Sequence, residues 1–289
     1  MSAAARVALA TSDPGLAWDT DLPLILDALR ARGLDAVAAV WDAPDFDWSR
    51  CAAVVIRSTW GYEQHLPQYL AWADAVQEVT RLDNPAWLVR WNTDKRYLGE
   101  LAGRGVPVVP TRFIAPGEAV ALPGHGQFVV KPTVSAGARG AARYTEDLHE
   151  KAAGHIAALH AAGSTAMVQP YLTRIEEGER ALVFLGGSFS HAVRKGPVLT
   201  DIGTVDDDRV PHPGVVRHLP SPAELALAEA ALAAVPGSPD LLHARVDIAT
   251  ADDGAPVVME LELVEPNLFM GHSEHGLVRF TDLVRERAR

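Results

Sequence analysis

Short apolar runs separated by one amphipathic stretch make up the first part of the chain. Arg6–Ala10, Ala36–Val40 and Ala52–Ile56 are apolar and partly β-branched, and they have the length of strands buried on both faces of a parallel sheet. Residues 22–30 carry leucine and isoleucine at helical spacing. This order of strand, helix and strand predicts a small open α/β domain over residues 1–91.

Polar residues follow the third predicted strand directly. Arg57, Ser58 and Thr59 stand at its carboxyl end, which is where open α/β sheets bind their ligands. We therefore take these three residues as candidate substrate contacts. Ordinary polar loop chemistry explains them equally well.

Two lysines in residues 92–289 are candidate phosphate contacts. Thr93–Ala102 predicts an amphipathic helix with Lys95 in its first turn, where a lysine opposes the helix dipole and is either solvated or paired with an anion. Lys131 follows the apolar strand Gln127–Val130, and taken alone it is most simply a device that protects a sheet edge.

The residues after Lys131 favour a nucleotide. Residues 133–140 are small and include two glycines, which suits contact between backbone N–H groups and phosphate oxygens. The Gly-Lys-Ser/Thr ending of a Walker A loop is absent. The strand Ala166–Leu172 then leads into a proline hinge of the kind whose backbone reads adenine. We interpret residues 112–172 as a lid-like subdomain over a triphosphate.

Acidic side chains interrupt the apolar strands predicted in residues 173–289. Glu260 and Glu262 fall on one face of the strand Pro256–Val264, and Asp247 comes from a neighbouring strand. Carboxylates on an apolar strand are costly unless a cation neutralises them, and a hard divalent metal is the natural partner. The alternative is the solvent-facing side of an antiparallel sheet.

Composition narrows the class of protein. The 289 residues are 48% apolar with a net charge of −11, which disfavours binding to nucleic acid. Cys51 is the single cysteine, so no disulfide can form within the chain. No run approaches the length of a membrane span. We expect a cytoplasmic protein that does not bind membranes.

Six motifs occur in one order: Lys95, Lys131-Pro132, the loop 135–140, the hinge 169–172, Arg245-Val246-Asp247 and Glu260-x-Glu262. Together they resemble the ATP-grasp superfamily, on the branch of glutathione synthetase and the RimK-type ligases, from about Trp91 to the C-terminus. The resemblance implies an α/β protein whose pre-ATP-grasp parallel-sheet domain precedes two α+β subdomains with an ATP cleft between them. By analogy it also implies a possible homo-oligomer.

The resemblance implies roles in binding ATP and two Mg²⁺ ions. Contacts to ATP are implied for Lys95 and Lys131 at the phosphates, Ser135, Ala136, Gly137 and Gly140 over the γ-phosphate, Gln169, Pro170, Tyr171 and Leu172 around adenine, and Glu177 at the ribose. Asp247, Glu260 and Glu262 are the implied metal ligands. Glu262 stands where an asparagine is common, and Asn267 is the alternative ligand.

The implied reaction begins with attack of a small-molecule carboxylate on the γ-phosphate. A nitrogen nucleophile then displaces phosphate from the acyl phosphate. Fixed positive charge assists both steps, and the candidates for it are Arg180, Arg194, Lys195 and Arg245. His191, on a strand beside the presumed cleft, is a further substrate candidate.

Residues 57–62, 91–95 and 262–269 are similar to those of the D-cycloserine synthetases, which close O-ureido-D-serine to D-cycloserine. That similarity implies an intramolecular nucleophile. Two alternatives stay open: an intermolecular ligase that joins a carboxylate to an amine, and a nucleotide-binding module without catalysis.

Overall fold

The computed structural model describes residues 5–199, 201–205 and 214–289. Its first sheet is parallel and holds β1 (Arg6–Thr11), β2 (Asp35–Val40), β3 (Ala53–Ile56) and β4 (Arg81–Asp83) in the order β2-β1-β3-β4. The helices of this region are α1 (Asp13–Trp18), α2 (Asp21–Ala31) and α3 (Leu66–Val79). The three strands expected from the apolar runs are confirmed, and β4 extends the sheet.

The second sheet is antiparallel. It contains β5 (Arg112–Ile114), β6 (Phe128–Pro132), β7 (Ala142–Tyr144) and β8 (Ala166–Pro170) in the order β5-β8-β6-β7. Two short helices, α4 (Ala86–Asn92) and α5 (Tyr97–Gly103), connect it to the first sheet, and α6 (His149–Ala161) packs on it.

The third sheet is also antiparallel and supplies the acidic strand. It holds β9 (Glu179–Leu185), β10 (Ser188–Lys195), β11 (Val216–His218), β12 (His243–Thr250) and β13 (Pro256–Glu262) in the order β11-β10-β9-β12-β13. Helix α7 (Pro222–Ala233) packs on one face, and helix α8 (Glu274–Arg287) follows the sheet.

The two ends of the chain share one core. Phe280 and Val284 of α8 are fully buried in a cluster with Leu9 of β1 and Ile25 of α2. Burial of large apolar side chains is the main favourable term in folding. The C-terminal helix therefore packs with the N-terminal sheet, although the sequence pattern does not pair them.

Two expectations for the lysines are wrong. The helix predicted from Thr93 begins only at Tyr97, so Lys95 lies in the connection between α4 and α5. Its backbone N–H donates to the carbonyl of Thr133 at 2.9 Å, a tertiary contact that replaces the first helical turn. The edge interpretation of Lys131 also fails, because β6 lies between β8 and β7.

Side chains from the connecting helices complete the outer edge of β13. Asn92 donates to the carbonyl of Leu261 at 2.8 Å and accepts from the N–H of Leu263 at 2.7 Å. The hydroxyl of Tyr97 accepts from the N–H of Leu261 at 3.0 Å. An edge strand otherwise leaves these backbone groups unpaired. The acidic strand is therefore held between the third sheet and α4 and α5.

No helix among the described residues is long and apolar enough to cross a membrane.

Candidate active site

A cavity of about 870 Å³ lies where the three sheets meet. This volume falls in the range of small-molecule and cofactor sites. Of the residues singled out from the sequence, the cavity is lined by Lys95, Lys131, Ser135, Ala136, Gly137, Gln169, Pro170, Tyr171, Leu172, Lys195, Arg245, Asp247, Glu260, Glu262 and Asn267.

Strand register places the charged side chains of the third sheet on its cavity face. Arg245 of β12 lies opposite Glu262 of β13, and Asp247 lies opposite Glu260. Lys195 of β10 lies opposite Glu179 of β9. Since side chains alternate along a strand, the intervening apolar residues point to the other face and pack against α7.

Asp247 is enclosed by two cations. Its Oδ1 accepts from Nε of Arg245 at 2.8 Å, and its Oδ2 accepts from Nη2 of Arg245 at 2.8 Å and from Nζ of Lys195 at 2.7 Å. Burial by itself raises the pKa of Asp247, but Arg245 and Lys195 outweigh it and hold that pKa well below its usual range. Asp247 is therefore ionised and orients both cations.

Glu179 and Glu262 complete the buried charge cluster. Glu179 pairs with Lys195, and Glu262 pairs with Arg245. Burial raises the pKa of each carboxyl group to about 7 despite these partners, and the neighbouring Asp247 adds to the rise. The carboxylates are thus in excess over the cations around them, and a further cation would relieve this excess.

The two lysines differ in their surroundings. Nζ of Lys95 donates to the carbonyl of Ser135 at 2.5 Å and lies 3.1 Å from Oε1 of Glu260. Burial lowers the pKa of Lys131, and the charge of Lys95 lowers it further, although Glu260 opposes both. Within the part of the chain that the structure describes, the Lys131 ammonium makes no hydrogen bond or ion pair. It is a half-buried cation at the cavity wall that is attracted by Glu260 without forming an ion pair with it.

The glycine-containing loop crosses from the second sheet toward the N-terminal domain. Gly140 has φ +69°, and a Cβ at this position would lie 3.3 Å from the side chain of Pro132. Nε of Arg139 lies 3.6 Å from Oε1 of Glu63 in the N-terminal domain. Ala136 packs against that domain's apolar cluster. The loop therefore closes one side of the cavity.

The predicted metal ligands are not assembled as a cluster. Among the described residues, no three His, Cys, Asp or Glu side chains are grouped so as to hold a metal ion. Both oxygens of Asp247 accept from cations, and Oδ1 of Asn267 accepts from the N–H of Phe269 at 2.8 Å. Glu260 and Glu262 line the cavity with partly exposed side chains.

Several candidate residues lie outside the cavity lining. Arg180 and Arg194 are on the face of the sheet opposite the charge cluster: Nε of Arg180 lies 3.2 Å from Oε1 of Glu224, and Nη1 of Arg194 donates to the carbonyl of Glu177. The Glu177 carboxylate pairs with Arg174 at 2.7 Å. Gly140 is not a lining residue either, although Ala138 and Ala141 on its two sides are.

The substrate candidates of the N-terminal domain are buried beneath the cavity wall. Arg57 is 1% exposed, the hydroxyl of Ser58 lies 2.8 Å from that of Thr11, and the hydroxyl of Thr59 lies 2.9 Å from that of Tyr69. Trp60, which follows Thr59, lines the cavity instead.

His191 also makes internal contacts. Its Nε2 lies 2.8 Å from the carbonyl of Leu268, and its Nδ1 lies 3.0 Å from the hydroxyl of Ser190. His191 of β10 therefore packs against the segment that follows β13, and it is not among the residues that line the cavity.

Sequence reasoning missed several lining residues. Glu179 was not among the candidate site residues, although a carboxylate one strand away from Lys195 is a signal for an ion pair. Trp60, Tyr62 and Phe269 lie in the stretches 57–62 and 262–269 that carried the similarity, but no role was assigned to them. Trp18 and His272 also line the cavity, and neither was a candidate.

The chain is similar in sequence to known proteins over nearly its whole length. A family profile described as D-cycloserine synthetase DcsG, N-terminal domain, matches residues 7–84. The cycloserine biosynthesis protein DcsG of Streptomyces lavendulae is 39% identical over 97% of this chain and 98% of its own length.

Solved structures agree with this similarity. The crystal structure of D-cycloserine synthetase DcsG superimposes with a TM-score of 0.91 at 38% identity and covers 98% of this chain and all of its own. A RimK domain ATP-grasp protein from Sphaerobacter thermophilus superimposes with a TM-score of 0.66 at 20% identity, over 98% of this chain and 99% of its own. The latter likeness shows the ATP-grasp fold.

Proposed function

The chain belongs to the family of D-cycloserine synthetase DcsG and is an ATP-grasp ligase, and on that premise we propose that it closes O-ureido-D-serine to D-cycloserine with consumption of ATP. Enzymes with this fold use ATP and Mg²⁺ to activate a carboxylate. A cytoplasmic location and a place in antibiotic biosynthesis belong to the same proposal, and a homo-oligomer stays a prediction.

One observation carries the ATP part of the proposal. Lys131 is half-buried at the cavity wall and forms no ion pair among the described residues, and desolvation lowers its pKa although the charge of Glu260 opposes this. Desolvated cations are costly unless an anion neutralises them. A phosphate group of ATP would supply that anion. Lys95, the loop residues 135–137 and Gly140 would then surround the same phosphates.

The residues present fit Mg²⁺ as well. Glu262 has a pKa raised to about 7 because burial and neighbouring carboxylates disfavour its charge, and Glu260 lies two residues away on the same face. Mg²⁺ is commonly held by one or two carboxylates together with substrate phosphates rather than by an all-protein cage. We propose that Glu260 and Glu262 hold the metal, while Asp247 and Asn267 as further ligands, and a second ion, stay predictions. Bound Mg²⁺ would neutralise phosphate charge.

The remaining positions follow from the cavity lining. We propose that the hinge residues 169–172 hold adenine, since they line the cavity beside the second sheet. Glu177 for the ribose and Arg180 and Arg194 for catalysis receive no support from the lining. Lys195 and Arg245 are the favoured cations, because both line the cavity and Asp247 fixes their orientation.

The proposed chemistry has three steps. A carboxylate oxygen of the substrate attacks the γ-phosphorus, the bond to the β-phosphate oxygen breaks, and ADP leaves. The oxyamine nitrogen of the same molecule then attacks the acyl carbon, the bond to the phosphate oxygen breaks, and the ring closes. The carbamoyl group is transferred to water as carbamate, which decays to carbon dioxide and ammonia. An intramolecular nucleophile gains greatly from proximity.

The proposal is tested with O-ureido-D-serine, Mg²⁺ and ATP as the only small molecules. Mass spectrometry should detect D-cycloserine in amounts equal to the ADP formed, and adding a free amino acid should not raise the rate. If ADP forms only when a second amine is supplied, the enzyme is an intermolecular ligase. If no carboxylate in a broad panel supports ADP formation, the chain is a binding module. The Lys131→Ala variant serves as the inactive control.

A further inference from the structure

A buried charge cluster in the N-terminal domain holds the segment that follows the acidic strand. Arg57, Asp19 and Asp21 are each no more than 5% exposed. Nη2 of Arg57 lies 3.7 Å from Oδ2 of Asp19 and 3.9 Å from Oδ2 of Asp21. Removing a charge from water costs free energy, so a buried charge cluster points to a specific structural or functional role.

Two of these side chains reach across to the third sheet. Nη1 of Arg57 donates to the carbonyl of Pro266 at 3.1 Å. Oδ1 of Asp21 accepts from the N–H of Met270 at 2.8 Å and from the N–H of Gly271 at 3.4 Å. Residues 266–271 therefore take their position from the N-terminal domain.

The held segment forms a wall of the cavity. Asn267, Phe269, Gly271 and His272 line it. Phe269 has φ 52° and ψ 41°, a left-handed conformation that is unusual for a bulky residue and persists only when the surroundings impose it. The hydrogen bonds to Asp21 begin at the next residue, and Oδ1 of Asn267 accepts from the N–H of Phe269 itself, so both side chains contribute to that constraint.

The segment is also coupled to the charge cluster of the third sheet. Nη1 of Arg245 donates to the carbonyl of Asn267 at 3.0 Å, and its guanidinium lies 5.6 Å from the centre of the Phe269 ring. Movement of the segment would therefore shift the wall next to the cation proposed to assist acyl transfer. Among the described residues, no hydrogen bond or ion pair joins Lys95 or Lys131, on the phosphate side, to this segment.

We infer that Asp21 and Arg57 are positioning residues that set the carboxylate-substrate side of the cavity by clamping residues 266–271. Arg57 does so from outside the cavity lining, whereas Asp21 holds the segment at the edge of the cavity, which it also lines. The inference rests on the proposed function for the identity of that substrate. It assigns Arg57 a different role from the direct contact expected from the sequence. It also predicts that loss of the clamp raises the KM for the carboxylate substrate without a matching change for ATP.

The test compares Asp21→Ala with Asp19→Ala. Each variant removes a buried carboxylate beside Arg57 and two backbone hydrogen bonds. The bonds to Asp19 come from the N–H groups of Asp21 and Leu22 at the start of α2, whereas those to Asp21 come from the cavity wall. Stability losses should be similar. A third variant, Asp21→Asn, keeps an acceptor oxygen and should restore most of the lost function.

Asp21→Ala should raise the KM for O-ureido-D-serine about 10- to 100-fold and leave the KM for ATP within about twofold. Hydrogen exchange followed by mass spectrometry should show faster exchange in peptides covering residues 266–273 for this variant alone. Equal changes in Asp19→Ala, an equal rise in the KM for ATP, or unchanged exchange in Asp21→Ala would each overturn the inference.

Failure of the proposed function gives a different result. If the wild-type enzyme forms ADP with another carboxylate and not with O-ureido-D-serine, the substrate assignment is lost. The exchange comparison, and the KM comparison made with that other carboxylate, then still decide the role of Asp21. Should Asp21→Ala not fold, Arg57→Lys replaces it as the variant that loosens the clamp, because the shorter side chain loses the bond to the carbonyl of Pro266, and Asp21→Asn stays the variant expected to keep function.

Discussion

Nζ of Lys195 lies 2.7 Å from Oδ2 of Asp247, and the two side chains are 1% and 3% exposed. Glu179 approaches the same ammonium from β9, and Arg245 holds the same carboxylate from β12. The pair therefore joins three strands of the third sheet at the floor of the cavity. Its loss would affect both stability and the orientation of Arg245.

Lys195→Met should lower kcat at least about 100-fold, because it removes a fixed positive charge from the cavity wall. It should also lower the free energy of unfolding by roughly 1–3 kcal/mol, since Glu179 loses its cation while Asp247 keeps Arg245. Steady-state kinetics and urea denaturation measure the two effects. Arg194→Met is the control, because Arg194 neighbours Lys195 but lies on the opposite, exposed face. Equal losses in both variants would contradict the assignment.

Lys131→Ala should weaken ATP binding by roughly 10- to 100-fold, and turnover should fall further because the transferred phosphoryl group loses a fixed charge. The free energy of unfolding should change little, since the half-buried ammonium makes no hydrogen bond or ion pair among the described residues that the substitution would remove. Isothermal titration with ATP and thermal denaturation check both statements. Lys151→Ala removes an exposed lysine of α6 and should change neither. Unchanged ATP affinity would remove Lys131 from the phosphate site.

Glu260→Gln should abolish the dependence of activity on Mg²⁺ concentration along with most of the activity, because an amide is a much weaker ligand for a hard cation. Rates measured across a Mg²⁺ titration test this outcome. Glu229→Gln, on the exposed side of α7, is the matched control. A Glu260→Gln enzyme with the wild-type Mg²⁺ profile would show that the acidic strand does not hold the metal.

Glu262 should link stability to pH in the absence of Mg²⁺. Burial raises its pKa from 4.5 to about 7 although Arg245 opposes the rise. Between these two values the folded protein binds more protons than the unfolded chain, so this group's contribution to the free energy of unfolding decreases as pH rises. The total change is on the order of 3 kcal/mol.

Urea denaturation of the wild type and Glu262→Gln at about pH 5, 6 and 7.5 isolates that contribution. The wild type should lose stability relative to the variant as pH rises. Burial lowers the pKa of His243 from 6.5 to about 3, so between these values this group's contribution to the free energy of unfolding increases as pH rises. His243 is present in both proteins, so its contribution cancels in the comparison. Parallel stability curves for the two proteins would refute the link, and added Mg²⁺ should reduce the difference.

Much of the fold was predictable because its signals are local. The short apolar runs predicted β1, β2 and β3 to within one residue at each end. The order of the lysines, the loop and the acidic strand indicated the superfamily. The helix expected at Thr93 failed, because a tertiary hydrogen bond from Lys95 to Thr133 holds that stretch outside a helix. Helical periodicity in a short segment cannot report a partner that is 38 residues away.

The cavity itself depends on register. Counting back from the turn at Gly186-Gly187 pairs Glu179 with Arg194, but an irregularity between Phe189 and His191 shifts the pairing so that Glu179 lies opposite Lys195. A shift of one residue moves each side chain to the other face of the sheet. Lys195 therefore reaches the cavity and Arg194 does not.

The sequence by itself determined the class of fold, and it singled out the two lysines and the paired carboxylates of β13 as residues of one site. Each of these signals depends on neighbouring residues and on the period of the strand or helix that carries them. Only the tertiary structure decided which cations meet which carboxylates, that Arg57 lies beneath the cavity wall, and that Asp21 holds the turn after Phe269. Those contacts join residues far apart in the chain, and bulges and packing between sheets set them.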